Sequence, residues 1–434
     1  MKRVYKVSLV SVTVLLLAVT GLAQTGTPVC KLLVVTDRPE ALYSVGEKVK
    51  FLITLTQDDV LVSSAELAFQ LDKDGMPPVN CGILKLENGA ASVEGSLPEP
   101  GFLTCRITFT NAEHKVLTAL AAAGIEPEKL APSLPVPDDF DAFWAKQKAL
   151  LRAVPMQPIL TSVPSTNAGI ECFDVQIPCH TGAPVSAYLA RPSGAVPYSL
   201  PIILSVHGAG VRSSTLSTAA NLAGSYNALA MDLNANGIPN GQSAAYYKEL
   251  SQTGLKDYPF RGRDDREQCY FLGMFLRLVR AIDFLTSQPE WDGKHLIVTG
   301  ISQGGGQSIA AAGLDSRVTL ICASVPALCD HSGKAVGRAN GWPRLVPDVN
   351  GKPDPKILEE TRYFDCVNFA TRVKAEAVLS AGFIDTICAP SSVYTAYNAL
   401  PGSKQITNQP LIGHRRSPQS EAAEAAAIKR HIKQ

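Results

Sequence analysis

The sequence predicts an α/β fold, a mostly parallel sheet flanked by helices on both faces, preceded by a smaller all-β module. Three observations carry that expectation. From about residue 170, short and nearly continuous apolar runs recur at 202–206, 228–233, 295–299, 320–325 and 377–381. Strands buried on both faces of a parallel sheet read this way. Between them, Phe271, Phe275, Leu278, Ile282 and Leu285 step by four, three, four and three residues, one face of a helix. Upstream, residues 30–123 break into short runs separated by turn formers, as an antiparallel module does.

A chain of 434 residues has room for two or three domains. Lys and Arg number 40 against 39 Asp and Glu, with no long basic block, which gives no footing for a nucleic-acid partner. At the N-terminus, Lys2, Arg3 and Lys6 precede an apolar run from Val7 to Val19, and Gly21-Leu22-Ala23 supplies small residues for cleavage. Residues 1–23 therefore read as a signal peptide of a secreted or periplasmic protein. The apolar run is about 13 residues, short of the roughly 20 that span a bilayer, so no stable membrane insertion is expected after cleavage.

Ten cysteines survive that cleavage, and an even number in an oxidising compartment permits disulfides. Cys81 with Cys105 is the favoured pair, and Cys172/Cys179 and Cys322/Cys329 are possible local ones. No spacing among them suits a zinc site, and no metal is expected. Cys388 reads as a buried, inert thiol.

Taken in order, residues 32–35, 48–56, 65–71, 91–97 and 102–109 are the expected strands of an immunoglobulin-like β-sandwich spanning 30–123. Gly46, Asp58-Asp59, Asp74-Gly75, Asn88-Gly89 and Pro100-Gly101 are its turns. It holds no catalytic constellation and reads as a packing or spacer module, with glycan binding the alternative. Residues 124–138 form a linker that Pro127, Pro132, Pro135 and Pro137 should keep extended and stiff. Asp138-Asp139 then open a helix whose Phe140, Phe143 and Trp144 face a core. Residues 172–177 and 186–191 pair as a hairpin, and 139–434 make the larger domain.

The organising stretch is Gly300-Ile301-Ser302-Gln303-Gly304, entered by an apolar strand and left by an alanine-rich helix. Gly-x-Ser-x-Gly in that setting is a sharp strand-to-helix turn that exposes a serine hydroxyl. A serine needs a base, and the base needs an acid to fix its tautomer. Three histidines lie downstream: His331, His414 and His431. His431 sits in an alanine-rich terminal helix and is expected to face solvent. His331 follows Asp330 in a loop and stays open as a second base, with Asp330 as the second acid. His414 follows the last strand and is the favoured base; Asp385, just after the run 377–381, is the favoured acid. The Gln303 N–H and a donor from His207-Gly208-Ala209-Gly210, taken as Ala209, would bind an oxyanion. His207 itself reads as a buttress of that loop.

At this point residues 130–434 resemble the acetyl xylan esterase/cephalosporin C deacetylase family, carbohydrate esterase family 7, of the α/β-hydrolase fold. The matching stretches are Asp139-Phe140-Asp141-Ala142-Phe143-Trp144, Ser302-Gln303-Gly304-Gly305-Gly306, Pro326 to Asp330, Tyr363-Phe364-Asp365 with Asn368, Asp385-Thr386-Ile387-Cys388-Ala389-Pro390, and Tyr394-Thr395-Ala396-Tyr397-Asn398. The resemblance implies Ser302, Asp385 and His414 as a triad, Gln303 and Ala209 as oxyanion donors, and no cofactor. It implies removal of acetyl groups from acetylated oligo- or polysaccharide or another small acetyl ester, and it leaves a homo-oligomer possible. Three positions depart from the family. Asn234-Ala235-Asn236 stands where Arg-Gly-Gln is usual, Arg415 replaces the glutamate after the histidine, and Ala209 replaces a tyrosine. The competing expectations are an α/β-hydrolase peptidase or amidase and an inactive glycan-binding surface protein.

Overall fold

The computed structural model describes residues 29–165 and 167–433; the expected signal peptide lies outside them. Nine strands come first: β1 (Cys30–Thr36), β2 (Leu42–Tyr43), β3 (Val49–Gln57), β4 (Val60–Leu61), β5 (Glu66–Lys73), β6 (Asn80–Lys85), β7 (Ala90–Gly95), β8 (Gly101–Thr110) and β9 (Val116–Ile125). They form one sheet from β1, β3, β4 and β7 and a second in the order β2-β9-β8-β5-β6. Alternation along the strands explains how the sheets meet. Phe51, Ile53 and Leu55 of β3 and Leu103, Cys105 and Ile107 of β8 point into one shared core. Phe102, Thr104 and Arg106 leave β8 on the other face.

That other face is not bare. Phe102 is fully buried, its ring 5.0 Å from Phe383 edge-on and 5.6 Å from Tyr394, and it belongs to the core of the larger domain. The linker is tied down as well. Asn398 Nδ2 donates to the carbonyls of Pro127 and Leu130, both at 2.9 Å, and Arg338 Nη2 donates to Ala131 O at 2.9 Å. Arg362 Nη2 donates to Pro135 O at 2.5 Å.

The larger domain begins with α1 (Phe140–Ala153) and continues through β10 (Ile159–Val163), β11 (Ile170–Ile177), β12 (Val185–Pro192) and β13 (Leu200–Val206). Then come α2 (Leu216–Tyr226), β14 (Leu229–Leu233), α3 (Ala244–Gln252), α4 (Tyr270–Thr286), β15 (Trp291–Ile301), α5 (Gln303–Leu314) and β16 (Leu320–Ser324). A small hairpin, β17 (Asp348–Val349) and β18 (Lys352–Pro353), precedes α6 (Pro355–Thr361) and α7 (Cys366–Ala370). β19 (Glu376–Gly382), α8 (Pro390–Ala399), β20 (Lys404–Gln409) and α9 (Pro418–His431) complete the chain. The sheet order is β10-β11-β12-β14-β13-β15-β16-β19-β20, with β14 through β20 pairing parallel. Ile202, Leu204 and Val206 face one core and Ile203 the other, which is why the run is apolar throughout.

Two expectations fail. All ten cysteines are free. Cys81 stands opposite Gln70 and Cys105 opposite Leu71, so β5 separates them by two strand spacings, about 9.5 Å, and they leave opposite faces of the sheet. Cys172 and Cys179, like Cys322 and Cys329, sit in cores on opposite sides of the large sheet. His431 is buried, not solvent-facing: α9 lies on the sheet through Ala427 and Ile428, and His431 Nε2 meets Thr319 Oγ1 at 2.8 Å. Small alanines concealed an inward face.

Candidate active site

β15 runs straight into Ser302, whose backbone adopts φ 58°, ψ −122° before α5 begins at Gln303. A non-glycine residue held there stores on the order of 1–3 kcal/mol of strain. The flanking glycines make the turn possible. A Cβ on Gly300 would lie 2.3 Å from the carbonyl of Gly304, and one on Gly304 would lie 2.1 Å from Val206 O. Strand, turn and helix are therefore in closer contact than any side chain permits.

The carboxyl ends of three parallel strands bring the other groups in. Asp385 lies in the loop after β19 and His414 in the loop after β20. His414 Nε2 stands 2.8 Å from Ser302 Oγ, and its Nδ1 stands 2.7 Å from Asp385 Oδ2. The other carboxylate oxygen, Oδ1, accepts the N–H groups of Ile387 and Cys388 at 2.8 and 2.9 Å. An ionised carboxylate only accepts, so the imidazole proton sits on Nδ1 and leaves Nε2 free to take the serine's proton. The Asp385 side chain is fully buried, whereas the His414 side chain is a quarter exposed.

Asp330 and His331 are not part of this cluster. Asp330 is buried, hydrogen-bonded to the Ser133 hydroxyl and paired with Arg338 at 3.2 Å, where it fastens the linker. His331 is sealed in the core, its ring near the Phe364 and Gly341 backbone but in no well-aligned hydrogen bond, and desolvation pushes its pKa down to about 4. Cys388 is buried beside Ser302. Desolvation, with the charge of Asp385, raises its thiol pKa well above the usual range and keeps it neutral.

The donor loop after β13 runs against the serine turn: a Cβ on Gly208 would lie 3.3 Å from Ile301 O and 3.6 Å from the Cβ of Ser302. Ala209 follows on the exposed side. His207 pins the loop: Nδ1 donates to Gly208 O at 2.7 Å and Nε2 accepts the Ala235 N–H at 3.1 Å. Desolvation pushes its pKa down to about 4, so the ring is neutral at pH 7 and can accept at Nε2. Asn234 and Asn236, at the departure from Arg-Gly-Gln, hold the same loop. Asn236 Nδ2 donates to Gly210 O at 2.8 Å, and Asn234 Nδ2 donates to Arg212 O at 3.0 Å. Arg415, the second departure, is exposed, and its N–H closes the histidine turn on Gly413 O at 2.8 Å.

Sequence reasoning missed Tyr258. Its hydroxyl donates to Gln303 Oε1 at 2.7 Å and accepts the Gly210 N–H at 3.3 Å, joining the two proposed donor segments. It sits in a 3-10 turn, Tyr258–Phe260, in a stretch with no periodicity to mark it.

Comparison with known proteins gives the family. The family model described as Acetyl xylan esterase (AXE1) matches residues 126–431. The acetyl esterase Axe7A of Xylanibacter ruminicola is 29% identical over 406 residues, covering 92% of this chain and 90% of its own. The structure of an acetyl xylan esterase from Paenibacillus sp. R4 is 28% identical, with a TM-score of 0.60 over 70% of this chain and 98% of that one. Acetyl xylan esterase 1 from Thermoanaerobacterium sp. JW/SL YS485, at 23% identity, shares the fold with a TM-score of 0.62 over the same 70% and 98%.

Proposed function

Because the chain belongs to the acetyl xylan esterase family and is a carboxylic ester hydrolase of α/β-hydrolase fold, we propose that it is an exported serine esterase that deacetylates carbohydrate through Ser302, His414 and Asp385. The observation that carries the reading is the unbroken relay from Asp385 Oδ2 through the imidazole to Ser302 Oγ, with links of 2.7 and 2.8 Å.

In this mechanism, His414 Nε2 takes the Ser302 proton while Oγ attacks the acetyl carbonyl carbon. Asp385 holds the ring and stabilises its cationic form. The Gln303 and Ala209 N–H groups receive the negative charge that develops on the carbonyl oxygen. Collapse breaks the bond to the sugar oxygen, which leaves with the proton from Nε2. Water, deprotonated at Nε2, then attacks the acyl-serine and releases acetate. The basic and apolar leader over residues 1–23 supports export.

Acetate release from acetylated xylo-oligosaccharides and from an aryl acetate tests the reading. Ser302→Ala should lower both rates by roughly 10³-fold or more while the protein stays folded. A Ser302→Ala protein with undiminished activity would falsify the assignment.

A further inference from the structure

The outer face of the five-stranded sheet and the loop bearing Asp385 enclose a cavity of about 300 Å³. Alternation puts it there. Residues 71, 103, 105 and 107 fill the sandwich core, so Gln70, Asp72, Thr104 and Arg106 must point out of the opposite face, toward the larger domain. The far wall includes Arg344, whose Nη2 donates to Thr386 O at 3.1 Å, and the loop from Ile384 to Thr386.

A second cavity, of about 480 Å³, shares Gly75, Met76, Ala339 and Arg344 with the first and continues past Lys334 and Asp348. Together they make one elongated groove along the joint between the two domains. Its charges are mixed: Asp72 near Arg106, then Asp74, Asp385 and Arg344, then Lys334 paired with Asp348 at 2.5 Å. Such a lining, four carboxylates interspersed with three cations, presents no patch of one sign to hold an anion or a cation. It offers many donors and acceptors to a neutral, hydroxyl-rich chain.

The groove adjoins the candidate active site through a single ridge. Ile384 and Thr386 face the groove, Cys388 lies beside Ser302, and Ile387 is exposed between them. We propose that the groove between the β-sandwich and the Asp385 loop is a glycan subsite, binding the sugars next to the one whose acetyl group enters at Ser302. The chain would cross the ridge, its sugars hydrogen-bonded by Gln70, Asp72, Arg106 and Arg344. The N-terminal module is then part of the substrate-binding surface. The proposal rests on the carbohydrate esterase reading above.

Wild type and Arg106→Ala, compared on acetylated xylo-oligosaccharides and on an aryl acetate, separate the two readings. The ratio of kcat/KM for oligosaccharide to that for aryl acetate should fall about tenfold or more in the variant, through a rise in KM. A smaller fall overturns the proposal. So does a wild type that cleaves the aryl acetate but not the oligosaccharides. A wild type inactive on both removes the esterase reading itself, along with the subsite that rests on it. Gln70→Ala, an exposed change on the same face, supplies the same comparison if Arg106→Ala melts early.

Discussion

Tyr258 and Gln303 are joined by a 2.7 Å hydrogen bond, and the phenol oxygen that donates it also accepts from Gly210. The strand-β13 loop and the first residue of α5 are thereby held at a set separation, which is the separation an oxyanion between them would sense. Gln303 Nε2 already lacks a partner in its buried site. Tyr258→Phe would leave Oε1 unsatisfied too, at about 1–3 kcal/mol. Donors displaced from a developing charge act on the transition state more than on the bound ester. The expected outcome is a kcat on aryl acetate lowered roughly tenfold with KM within about twofold. An unchanged kcat in a variant that merely melts earlier would assign the tyrosine to folding alone.

Asp385 accepts from His414 on one oxygen and from two backbone N–H groups on the other. An amide cannot fill both roles. In Asp385→Asn, either the NH2 group faces the two N–H donors, or it faces Nδ1 and forces the imidazole proton onto Nε2. The second arrangement matches each bond locally but leaves no base for Ser302. We expect kcat to fall by about 10⁴ with a native fold. Fluorophosphonate labelling of Ser302 should slow alongside it; labelling at the wild-type rate would contradict the role given to the acid.

The serine turn was legible because glycine at 300 and 304 is a steric necessity and leaves a pattern in the chain. The strand edge that carries Asp385 was legible because β19 is buried on both faces and nearly all apolar, whereas β20 ahead of His414 is a half-buried, mostly polar edge strand marked only by its place after α8. The joint between the domains was not. Gln70, Asp72, Thr104 and Arg106 alternate with core residues just as solvent-facing side chains do, and nothing local distinguishes a polar face that lines a groove from one that meets water. Tyr258 was invisible for a related reason, since a hydroxyl reaching across 45 residues has no local signature. The disulfide expectation failed because cysteine spacing says nothing of which sheet face each thiol leaves.

Phe102 marks that joint most sharply. It leaves the sandwich by the outer face, yet packs on Phe383 and Tyr394, while its N–H donates to Asp74 Oδ1 at 2.8 Å. Phe102→Ala should cost about 3–5 kcal/mol, as large buried aromatics do. Phe383 neighbours Asp385 in sequence, so the loss should also reach the acid's loop. The test is a denaturant titration with limited proteolysis: we expect a lower midpoint and new cleavage within the linker, residues 124–138. A variant with wild-type midpoint and protection would mean that the domains do not depend on this contact.

His331 supplies a pH dependence whose sign can be worked out. Its folded pKa, about 4, lies below the roughly 6.5 of an exposed imidazole because burial opposes the charge, and the nearby Asp330 with the Phe364 and Gly341 backbone offsets this only in part. Between those values the unfolded chain binds the extra proton and the folded one does not. Stability from this group is therefore fully present above about pH 6.5 and is lost as pH falls toward 4, by up to about 1.4 kcal/mol per pH unit. His331→Leu removes the titration along with two poorly satisfied ring nitrogens. Urea midpoints from pH 7 to pH 4 should fall less steeply in the variant than in the wild type, the gap opening only below about pH 6.5. Parallel curves across that range would mean that Asp330 and the Phe364 and Gly341 backbone hold an imidazolium well enough to cancel the cost of burial.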